Sequence, residues 1–500
     1  MDVVLIEDLA QQKLPARTAA AVLRRAGLSA RLVHFGGTCD TAGVVAAVRA
    51  SRPRVVVASI LFAHRMWETL DLMAALRAEG VVAHLTMMGA LPTSTYSELL
   101  AACPALDSVL CGEAETGIVN LARLADKPDA WATVPGLAYR GRQATANPVA
   151  QPAASLDDMP FPLRGEAGDD AGGVWFATVE SSRGCYHSCT FCLGRIFHSP
   201  YRLRSVANVV DEIEGLYRSG VRLFLFDDAQ FLPPGEARHE RVAELGQELE
   251  RRRMRIAFTI KCRPDDVDEG LFRDLRRIGL VRCYVGIESG CQATLDLLGK
   301  GTTPEVNLRA LRVLHRLGLV ADFRALLFHP WSTLEMLREE TGFLERALPY
   351  LATCLDFREV EVYPGTPLAR RLSEEGRGLG DPWPVPYWIA DPRVELLRRL
   401  ICLVFDAGGT YGEVKGLVSQ RWFDLLLERR LRLVGPAPAW KQALRDLAGK
   451  LNVHTLAVWR QMLAFAAEGD VYDAGRVKEL ASSWACRLQA QWLMALEALQ

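Results

Sequence analysis

The sequence predicts an α/β protein with three parts: a doubly wound, Rossmann-like amino-terminal domain, a partial barrel of six β/α units, and a helical carboxyl-terminal domain. Two series of short apolar runs alternate with amphipathic segments, one before residue 126 and one from 174 onwards, and the strand pattern stops after Pro386. Continuous apolar strands separated by helices are typical of parallel sheets that are covered on both faces.

The first series predicts the amino-terminal domain, residues 1–125. Its apolar runs predict strands at 3–7, 30–36, 54–62 and 81–89. The amphipathic segments between them predict helices at 14–27, 42–50 and 66–79. Because a doubly wound sheet binds ligands at the carboxyl ends of its strands, we expect ligand contacts on loops such as 59–65 and 89–93.

The second series predicts the barrel, residues 174–386. A stretch rich in Pro, Gly, Ala and Asp, 126–173, precedes it and predicts a linker with one short hairpin at 134–141. The barrel strands are predicted at 174–180, 221–228, 255–261, 281–289, 320–328 and 357–365. The remainder, 387–500, predicts helices with tryptophans at core spacing, and this region is a candidate lid over the substrate pocket.

Charge and composition restrict the protein's partners. The 59 basic and 60 acidic residues leave a formal charge of −1, so no long-range field attracts nucleic acid or anionic lipid. The acidic start MDVVLIEDLA lacks the basic region of a signal peptide, and no apolar stretch predicts a membrane span. We expect a cytoplasmic monomer, in which the twelve cysteines are thiols or metal ligands.

Three cysteines are grouped on one loop after the first barrel strand. Cys185, Cys189 and Cys192 lie in the segment SSRGCYHSCTFCLGR, with an aromatic residue at Phe191. Thiolates are the ligands of iron–sulfur clusters, and three of them leave one iron of a [4Fe–4S] cluster open to the amino and carboxylate groups of a methionine moiety. A zinc site is the main alternative, which needs a fourth ligand such as a nearby histidine. Three unligated cysteines are the remaining interpretation.

This segment resembles the cluster-binding loop of the radical S-adenosylmethionine (SAM) superfamily, and the resemblance covers residues 174–370. Four further segments match that superfamily and occur in its order along the chain: LFLFDDAQF, KCRPD, VGIESG and YPGTPL. The resemblance implies SAM contacts at Phe191, Asp228, Gln230, Lys261, Arg263, Gly286, Glu288 and Ser289. The alternative for Asp228 is that it and Asp227 only end a strand. The alternative for Lys261 and Arg263 is that they are surface residues.

One segment departs from the superfamily pattern. Where relatives carry a glycine-rich turn, this sequence reads LFHPWST at 327–333. The bulky His329 and Trp331 reshape that edge of the pocket, where they either line the substrate site or pack internally.

The amino-terminal domain resembles that of the cobalamin-dependent branch of the superfamily. The resemblance rests on MGALPTSTYSELLAACPALDSVLCGEAET at 88–116. It implies cobalamin contacts at Gly89, Pro92, Thr93, Gly112 and Glu113. The loop after the third strand adds Ser59, His64 and Arg65 as candidate contacts. The cobalt-ligating D-x-H-x-x-G motif does not occur, so His64 and Arg65 are the candidates for the lower corrin face, and we favour an unligated cobalt. A flavodoxin-like regulatory domain is the alternative.

The combined resemblance implies an enzyme that holds a [4Fe–4S] cluster, SAM and cobalamin. It would move a methyl group from SAM via methylcobalamin to an unactivated carbon or phosphorus of a small molecule or natural-product precursor, an indole among them. The alternative is a rearrangement, ring contraction or cyclisation without methyl transfer. An external electron donor of the flavodoxin or ferredoxin type is implied. An RNA methylthiotransferase is disfavoured, because Cys39, Cys103 and Cys111 are widely spaced and no basic RNA-binding module follows the barrel.

Overall fold

The computed structural model describes residues 1–8, 14–36, 40–60, 63–140, 144–153, 155–164, 176–380, 383–405, 409–431, 438–469 and 474–499. The chain forms two compact units. The first unit comprises Met1–Val174, Thr178–Glu212 and Glu361–Pro386. The second comprises Trp175–Ala177, Ile213–Val360 and Tyr387–Gln500. The two compact units do not coincide with the predicted domain boundaries at 125, 173 and 386. Those boundaries rest on the sequence pattern and stay a prediction.

A seven-stranded sheet forms the centre of the first unit. Its strands are β1 (Val3–Asp8), β2 (Ala30–Phe35), β3 (Val55–Ser59), β4 (His84–Met88), β5 (Ser108–Leu110), β6 (Leu137–Arg140) and β7 (Ala144–Ala146). Their order is β2-β1-β3-β4-β5-β6-β7, parallel through β5 and antiparallel beyond it. The chain reverses direction across the sheet between β1 and β3, which is where doubly wound folds bind ligands. The predicted hairpin forms as β6 and β7, so the first part of the predicted linker belongs to this sheet.

Helices cover both faces of this sheet. They are α1 (Leu14–Arg25), α2 (Thr41–Ser51), α3 (Met66–Ala78), α4 (Ala90–Ser94), α5 (Tyr96–Ala102) and α6 (Ala114–Leu124). Two cores result, because α1 and α6 pack on one face and α2, α3 and α5 on the other. Burial on both faces explains why β3 and β4 are apolar apart from Ser59, His84 and Thr86.

A short antiparallel pair closes the cysteine loop in the first unit. The strands β9 (Ser182–Arg183) and β10 (Arg202–Leu203) pair with each other, and α7 (Gly194–Phe197) lies between them. We call residues 184–201 the cysteine loop. The helix α14 (Pro367–Glu374) begins beside this loop, where the backbone N–H of Leu368 donates to the carbonyl of Thr190 at 3.0 Å. The helix α8 (Val206–Arg218) follows β10.

The second unit contains the partial barrel. Its strands are β8 (Phe176–Val179, of which the first two residues fall in this unit), β11 (Leu223–Phe226), β12 (Ala257–Cys262), β13 (Leu280–Val285), β14 (Val320–Asp322), β15 (Ala325–Phe328) and β16 (Phe357–Glu359). The sheet order is β14-β13-β12-β11-β8, and β15 and β16 form a separate parallel pair. The helices are α9 (Ala237–Arg251), α10 (Glu269–Ile278), α11 (Gln292–Leu297), α12 (Pro304–Arg316) and α13 (Leu334–Ala347). The predicted strand at 320–328 is thus two strands, β14 and β15.

Helices follow the barrel, as predicted. They are α15 (Pro392–Phe405), α16 (Thr410–Leu431), α17 (Pro438–Ala467) and α18 (Ala474–Leu499). α16 packs Phe423, Leu426 and Leu427 against Leu223, Ala257 and Val281, which lie at the amino ends of three barrel strands. α16 therefore covers the end of the barrel opposite to the strand ends that carry the predicted site. A lid role for the carboxyl-terminal region, 387–500, stays a prediction. Among the described helices, none combines the length and apolar character that crossing a bilayer requires.

Candidate active site

The cysteine loop presents three thiols that are partly exposed. Cys185, Cys189 and Cys192 are intermediate in exposure, whereas Cys262 and Cys291 are examples of the buried cysteines. A tight turn, in which the N–H of Cys192 donates to the carbonyl of Cys189 at 3.4 Å, brings the last two together around Phe191. Three accessible thiols on one loop fit a [4Fe–4S] cluster with one open iron.

The zinc alternative depends on the histidines near this loop. The ring of His198, one of the two nearby histidines, pairs through Nδ1 with Oε1 of Glu113 at 2.9 Å. Within the described ranges, no three His, Cys, Asp or Glu side chains gather around one point that could hold a single metal ion. A cubane does not need such a gathering, because each of its cysteines binds a different iron.

Two arginines and one histidine from the two ends of the cysteine loop surround Glu113. Its carboxylate pairs with Arg183 at 3.0 Å, with His198 at 2.9 Å, and with Arg202. Burial would raise the pKa of Glu113, but His198, Arg183 and Arg202 outweigh burial and lower it to about 2. We call these four residues the Glu113 clamp. The Glu113 carboxylate is thus bound by protein side chains, and its contact with cobalamin stays a prediction.

Arg183 extends the clamp to further carboxylates. Its side chain is 6% exposed and also pairs with Glu115 at 2.7 Å and with Glu180 at 2.9 Å. Burial works against the charged form of Arg183, whereas the three carboxylates hold its pKa well above the usual range. Arg183 thus carries a fixed positive charge two residues before Cys185.

Small and polar residues lie at the carboxyl ends of the strands of the first sheet, and consecutive hydrogen bonds connect them. The hydroxyl of Thr93 donates to the carbonyl of Gly89 at 2.7 Å and accepts from the N–H of Gly112 at 3.0 Å. Gly89 has φ +124°, and a Cβ there would lie 1.8 Å from the carbonyl oxygen of Ile60. The predicted residues Gly89, Pro92, Thr93 and Gly112 therefore lie together. We call this region, with Ser59, the glycine edge.

Ser59 fits a ligand at the glycine edge. It ends β3 beside the point where the sheet reverses, and its buried hydroxyl has no hydrogen-bond partner among the described residues. A buried hydroxyl without a partner costs free energy unless a ligand or water supplies one. A narrow pocket next to Gly89 and Gly112 is lined by Leu14, Ala19 and other residues. These features fit cobalamin.

Arg65 lies at the same edge, after β3. Its guanidinium stacks over the ring of Phe35 at 4.8 Å and pairs with Glu68 at 2.7 Å. Stacking and pairing hold Arg65 in place. The side chain of His64 lies outside what the structure describes, so the hypothesis about the lower corrin face stays a prediction.

Charged pairs occupy the strand ends of the second unit. Nζ of Lys261, at the end of β12, lies 2.6 Å from Oδ1 of Asp227, which follows β11. Glu288 adopts a left-handed backbone with φ +62°, and its Oε1 lies 3.2 Å from Nζ of Lys300. Lys300 is 4% exposed, and its Nζ would lie 3.0 Å from a Cβ at Gly286. Lys261, Gly286 and Glu288 thus remain suited to SAM, and Lys300 joins them.

Three side chains that are predicted to contact SAM bond to protein groups in this structure, and their contacts with SAM stay predictions. The amide of Gln230 donates to Leu232 O at 3.1 Å and to Asp266. Arg263 binds Asp265 at 2.9 Å and the carbonyl of Lys300. The hydroxyl of Ser289 donates to Glu340. These side chains shape the loops around the strand ends. Asp228, 1% exposed, is also buried.

Glu340 supports the turn at 286–290, which we call the strand-end turn. Its Oε2 accepts from the hydroxyl of Ser289 and, at 2.6 Å, from the N–H of Gly290. Burial raises the pKa of Glu340 to about 7, although these hydrogen bonds lower it. Gly290 is required by packing, because a Cβ there would lie 2.0 Å from Phe343.

His329 has a packing role. It is fully buried, and its Nδ1 accepts from the N–H of Trp331 at 3.2 Å. Because Nδ1 accepts, Nε2 carries the proton and donates to Thr294 Oγ1 at 3.3 Å. His329 therefore holds the turn that departs from the superfamily pattern. For Trp331, a place in the substrate site stays a prediction.

The residues that sequence reasoning missed are those that hold the loops. Arg183 and Glu340 lack any motif that marks them, since each acts through partners far away in the sequence. Lys300 had a weak signal, because it lies between Gly299 and Gly301, which both adopt φ +61°. A charged residue between two left-handed glycines indicates a backbone folded around its side chain.

Comparison with known families agrees with this geometry. The model of the B12 binding domain matches residues 10–122, and that of the radical SAM superfamily matches residues 179–339. The first match covers strands β2 to β5 with the glycine edge. The second covers the cysteine loop and the strand ends of the barrel.

Curated relatives match part of the chain. An uncharacterized methyltransferase of Pyrococcus horikoshii is 26% identical over 293 residues, which are 57% of this chain and 62% of that protein. An anaerobic magnesium-protoporphyrin IX monomethyl ester cyclase of Rubrivivax gelatinosus is 28% identical over 277 residues, 51% of this chain and 48% of that protein. The chain thus spans about half to three fifths of the length of these relatives.

A solved structure shows the same fold over nearly the whole chain. OxsB, a cobalamin-dependent SAM radical enzyme with aqua-cobalamin and SAM bound, superposes with a TM-score of 0.74. The match covers 99% of this chain and 80% of that chain at 19% identity, at which the likeness concerns the fold. The predicted fold class, a Rossmann-like domain with a partial barrel and carboxyl-terminal helices, is confirmed.

Proposed function

Because the chain belongs to the radical SAM superfamily and carries a B12-binding domain, we propose that it is a methyltransferase acting on an unactivated carbon or phosphorus of a small molecule. The cofactors of such an enzyme are a [4Fe–4S] cluster, SAM and cobalamin. One observation supports the proposal above the others: the cysteine loop and the glycine edge lie in one compact unit, where the Glu113 clamp bonds one to the other.

The residues of the first unit would hold two of these cofactors. Cys185, Cys189 and Cys192 would bind the cluster and leave one iron open. The hydroxyl of Ser59 and the backbone at Gly89 and Gly112 would receive cobalamin at the sheet edge, and the neighbouring narrow pocket would receive part of its tail. When bound, the cluster supplies electrons to SAM and cobalamin carries a methyl group.

The strand ends of the second unit offer charges that suit the methionine part of SAM. An amino acid carries an ammonium and a carboxylate, and the pairs Asp227 with Lys261 and Glu288 with Lys300 present both signs. The side chains of Asp227, Glu288 and Lys300 are only 12%, 12% and 4% exposed, and groups held in this way orient a zwitterion because they move little on binding. We assign SAM contacts to these residues and to Gly286.

The substrate is proposed to be a small molecule or natural-product precursor, with an indole as one case. The methyltransferase name of the Pyrococcus horikoshii relative supports methyl transfer. Enzymes of this superfamily take electrons from an external donor, which we expect to be of the flavodoxin or ferredoxin type.

A second candidate is a cyclisation or rearrangement without methyl transfer. The magnesium-protoporphyrin ester cyclase of Rubrivivax gelatinosus matches this chain with slightly higher identity than the methyltransferase does. The residues described above suit either reaction, because both begin with the same cofactors.

Methyl-deuterated SAM separates the two candidates. The anaerobically reconstituted enzyme is incubated with labelled SAM, a reductant and candidate substrates, and the products are analysed by mass spectrometry. Methyl transfer predicts a three-deuteron label in the product. Deoxyadenosine together with an unlabelled, changed product would contradict methyl transfer and support rearrangement.

A further inference from the structure

The Glu113 clamp joins two segments that the sequence separates by about 70 residues. Arg183 precedes the first cysteine by two residues, and His198 and Arg202 follow the last one. One carboxylate binds all three, with distances of 3.0 Å to Arg183 and 2.9 Å to His198. Glu113 therefore fixes both ends of the cysteine loop at a single point.

The side chains of the clamp are largely buried, so its ion pairs tolerate little change in distance. The side chains of Glu113, Arg183 and Arg202 are 10%, 6% and 11% exposed. Exposed ion pairs contribute little to structure, whereas a buried charge without its partner is strongly unfavourable. A displacement of Glu113 would therefore displace the loop ends as well.

The clamp also connects to the glycine edge through the backbone. Gly112, the residue before Glu113, donates its N–H to Thr93 at 3.0 Å, and Thr93 donates to Gly89 at 2.7 Å. A ligand that contacts Gly89 or Gly112 thus acts on a chain of bonded groups that ends at the cysteine loop. A continuous path of this kind is what energetic coupling between two sites requires.

We propose that Glu113 is a positioning residue that couples cobalamin binding at the glycine edge to the geometry of the cysteine loop. The proposal rests on the proposed function, since it requires both cofactors. Coupling is reciprocal, so the cluster should strengthen cobalamin binding as much as cobalamin strengthens retention of the cluster.

Titration of hydroxocobalamin into protein with and without the reconstituted cluster measures the coupling. For the natural chain we expect the cluster to lower the Kd for cobalamin by about 5- to 10-fold. Glu113→Gln should bring this ratio close to one. Glu79→Gln serves as the matched control, because Glu79 pairs with Arg49 in the same unit with both side chains more than half exposed. A Glu113→Gln protein that keeps the ratio of the natural chain would overturn the proposal.

Two further measurements keep the proposal testable if Glu113→Gln folds poorly. Arg202→Gln leaves Arg183 and His198 on the carboxylate, so the ratio should fall in part, and an unchanged ratio contradicts the coupling. Hydrogen–deuterium exchange of the cofactor-free protein reports the clamp directly. Peptides from the cysteine loop should exchange faster in either clamp variant than in Glu79→Gln, and equal exchange argues against it. If the natural chain takes up neither cofactor, the proposed function fails, while exchange still tests the clamp.

Discussion

The cysteine loop and the strand-end turn both follow strands, yet different forces hold them. Glu113, Arg183 and Arg202 hold the ends of the cysteine loop by charge, whereas one buried carboxyl group, Glu340, holds the strand-end turn. The pKa of Glu113 is lowered to about 2, and that of Glu340 is raised to about 7. The carboxylate that holds the first loop therefore keeps its charge near neutral pH, whereas the carboxyl group that holds the second changes charge there.

Removing the three thiols of the cysteine loop should have the largest effect on cofactor content. The Glu113 clamp that holds the loop should stay in place. We expect the protein to lose its cluster iron in the triple variant Cys185→Ala, Cys189→Ala, Cys192→Ala. Iron and sulfide analysis after anaerobic reconstitution measures this loss. The clamp residues remain, so far-ultraviolet circular dichroism should not change. Cys402→Ser is the control, because Cys402 is exposed on α15. A triple variant that keeps about four irons per chain would refute the assignment of the ligands.

Gly89→Ala should damage the glycine edge severely. The added Cβ would lie 1.8 Å from the carbonyl oxygen of Ile60 at the end of β3, so the strand end must shift. We expect a loss of more than about 3 kcal/mol in unfolding free energy, together with loss of cobalamin binding. Gly80→Ala is the matched control, since Gly80 also has positive φ but open space around it. Equal effects in urea unfolding would show that backbone strain alone explains the result.

Glu340→Gln should change how stability depends on pH. Burial raises the pKa of Glu340 from 4.5 to about 7, so its contribution to stability is complete below pH 4.5 and declines as the pH rises to 7. A shift of this size corresponds to roughly 3 kcal/mol. The glutamine variant should lose this decline, which urea unfolding between pH 5 and 8 measures.

The contribution of Glu113 to stability should depend on pH in the opposite direction, so Glu113 serves as the comparison. Its lowered pKa means that its contribution is complete above pH 4.5 and is lost as the pH falls towards 2. Glu113→Gln should therefore remove the fall in stability below pH 4.5, which urea unfolding between pH 3 and 5 measures. If Glu113→Gln kept that fall, the contrast between the two loops would be wrong.

Arg430→Met should have the smallest effect and spare both cofactor regions. Arg430 donates from α16 to the carbonyls of Ile256 and Ile278, each at 2.8 Å. Loss of these bonds should cost about 2 kcal/mol in unfolding free energy, with no change in iron or cobalamin content. Arg399→Met is the control, because Arg399 is largely exposed. A loss of cofactor in Arg430→Met would instead favour a direct role of α16 in the site.

The sequence predicts the elements of both units because their apolar periodicities are strong. It also identifies the cysteines and the glycine edge, where the chemistry demands particular residue types at short spacing. It does not predict the internal hydrogen bonds of Gln230 and Arg263, because a polar residue near a site has the same sequence signal whether it binds a ligand or a neighbouring loop. The split of the strand at 320–328 likewise depends on tertiary pairing.

Magnetic interaction between the two metal centres tests the central claim that one compact unit holds both cofactors. Electron paramagnetic resonance of cob(II)alamin is recorded in protein whose cluster has been reduced. The structure predicts a broadened, faster-relaxing cobalt signal in the natural chain and an undisturbed one in the triple cysteine variant. A cobalt signal with the same relaxation in both proteins would contradict the account.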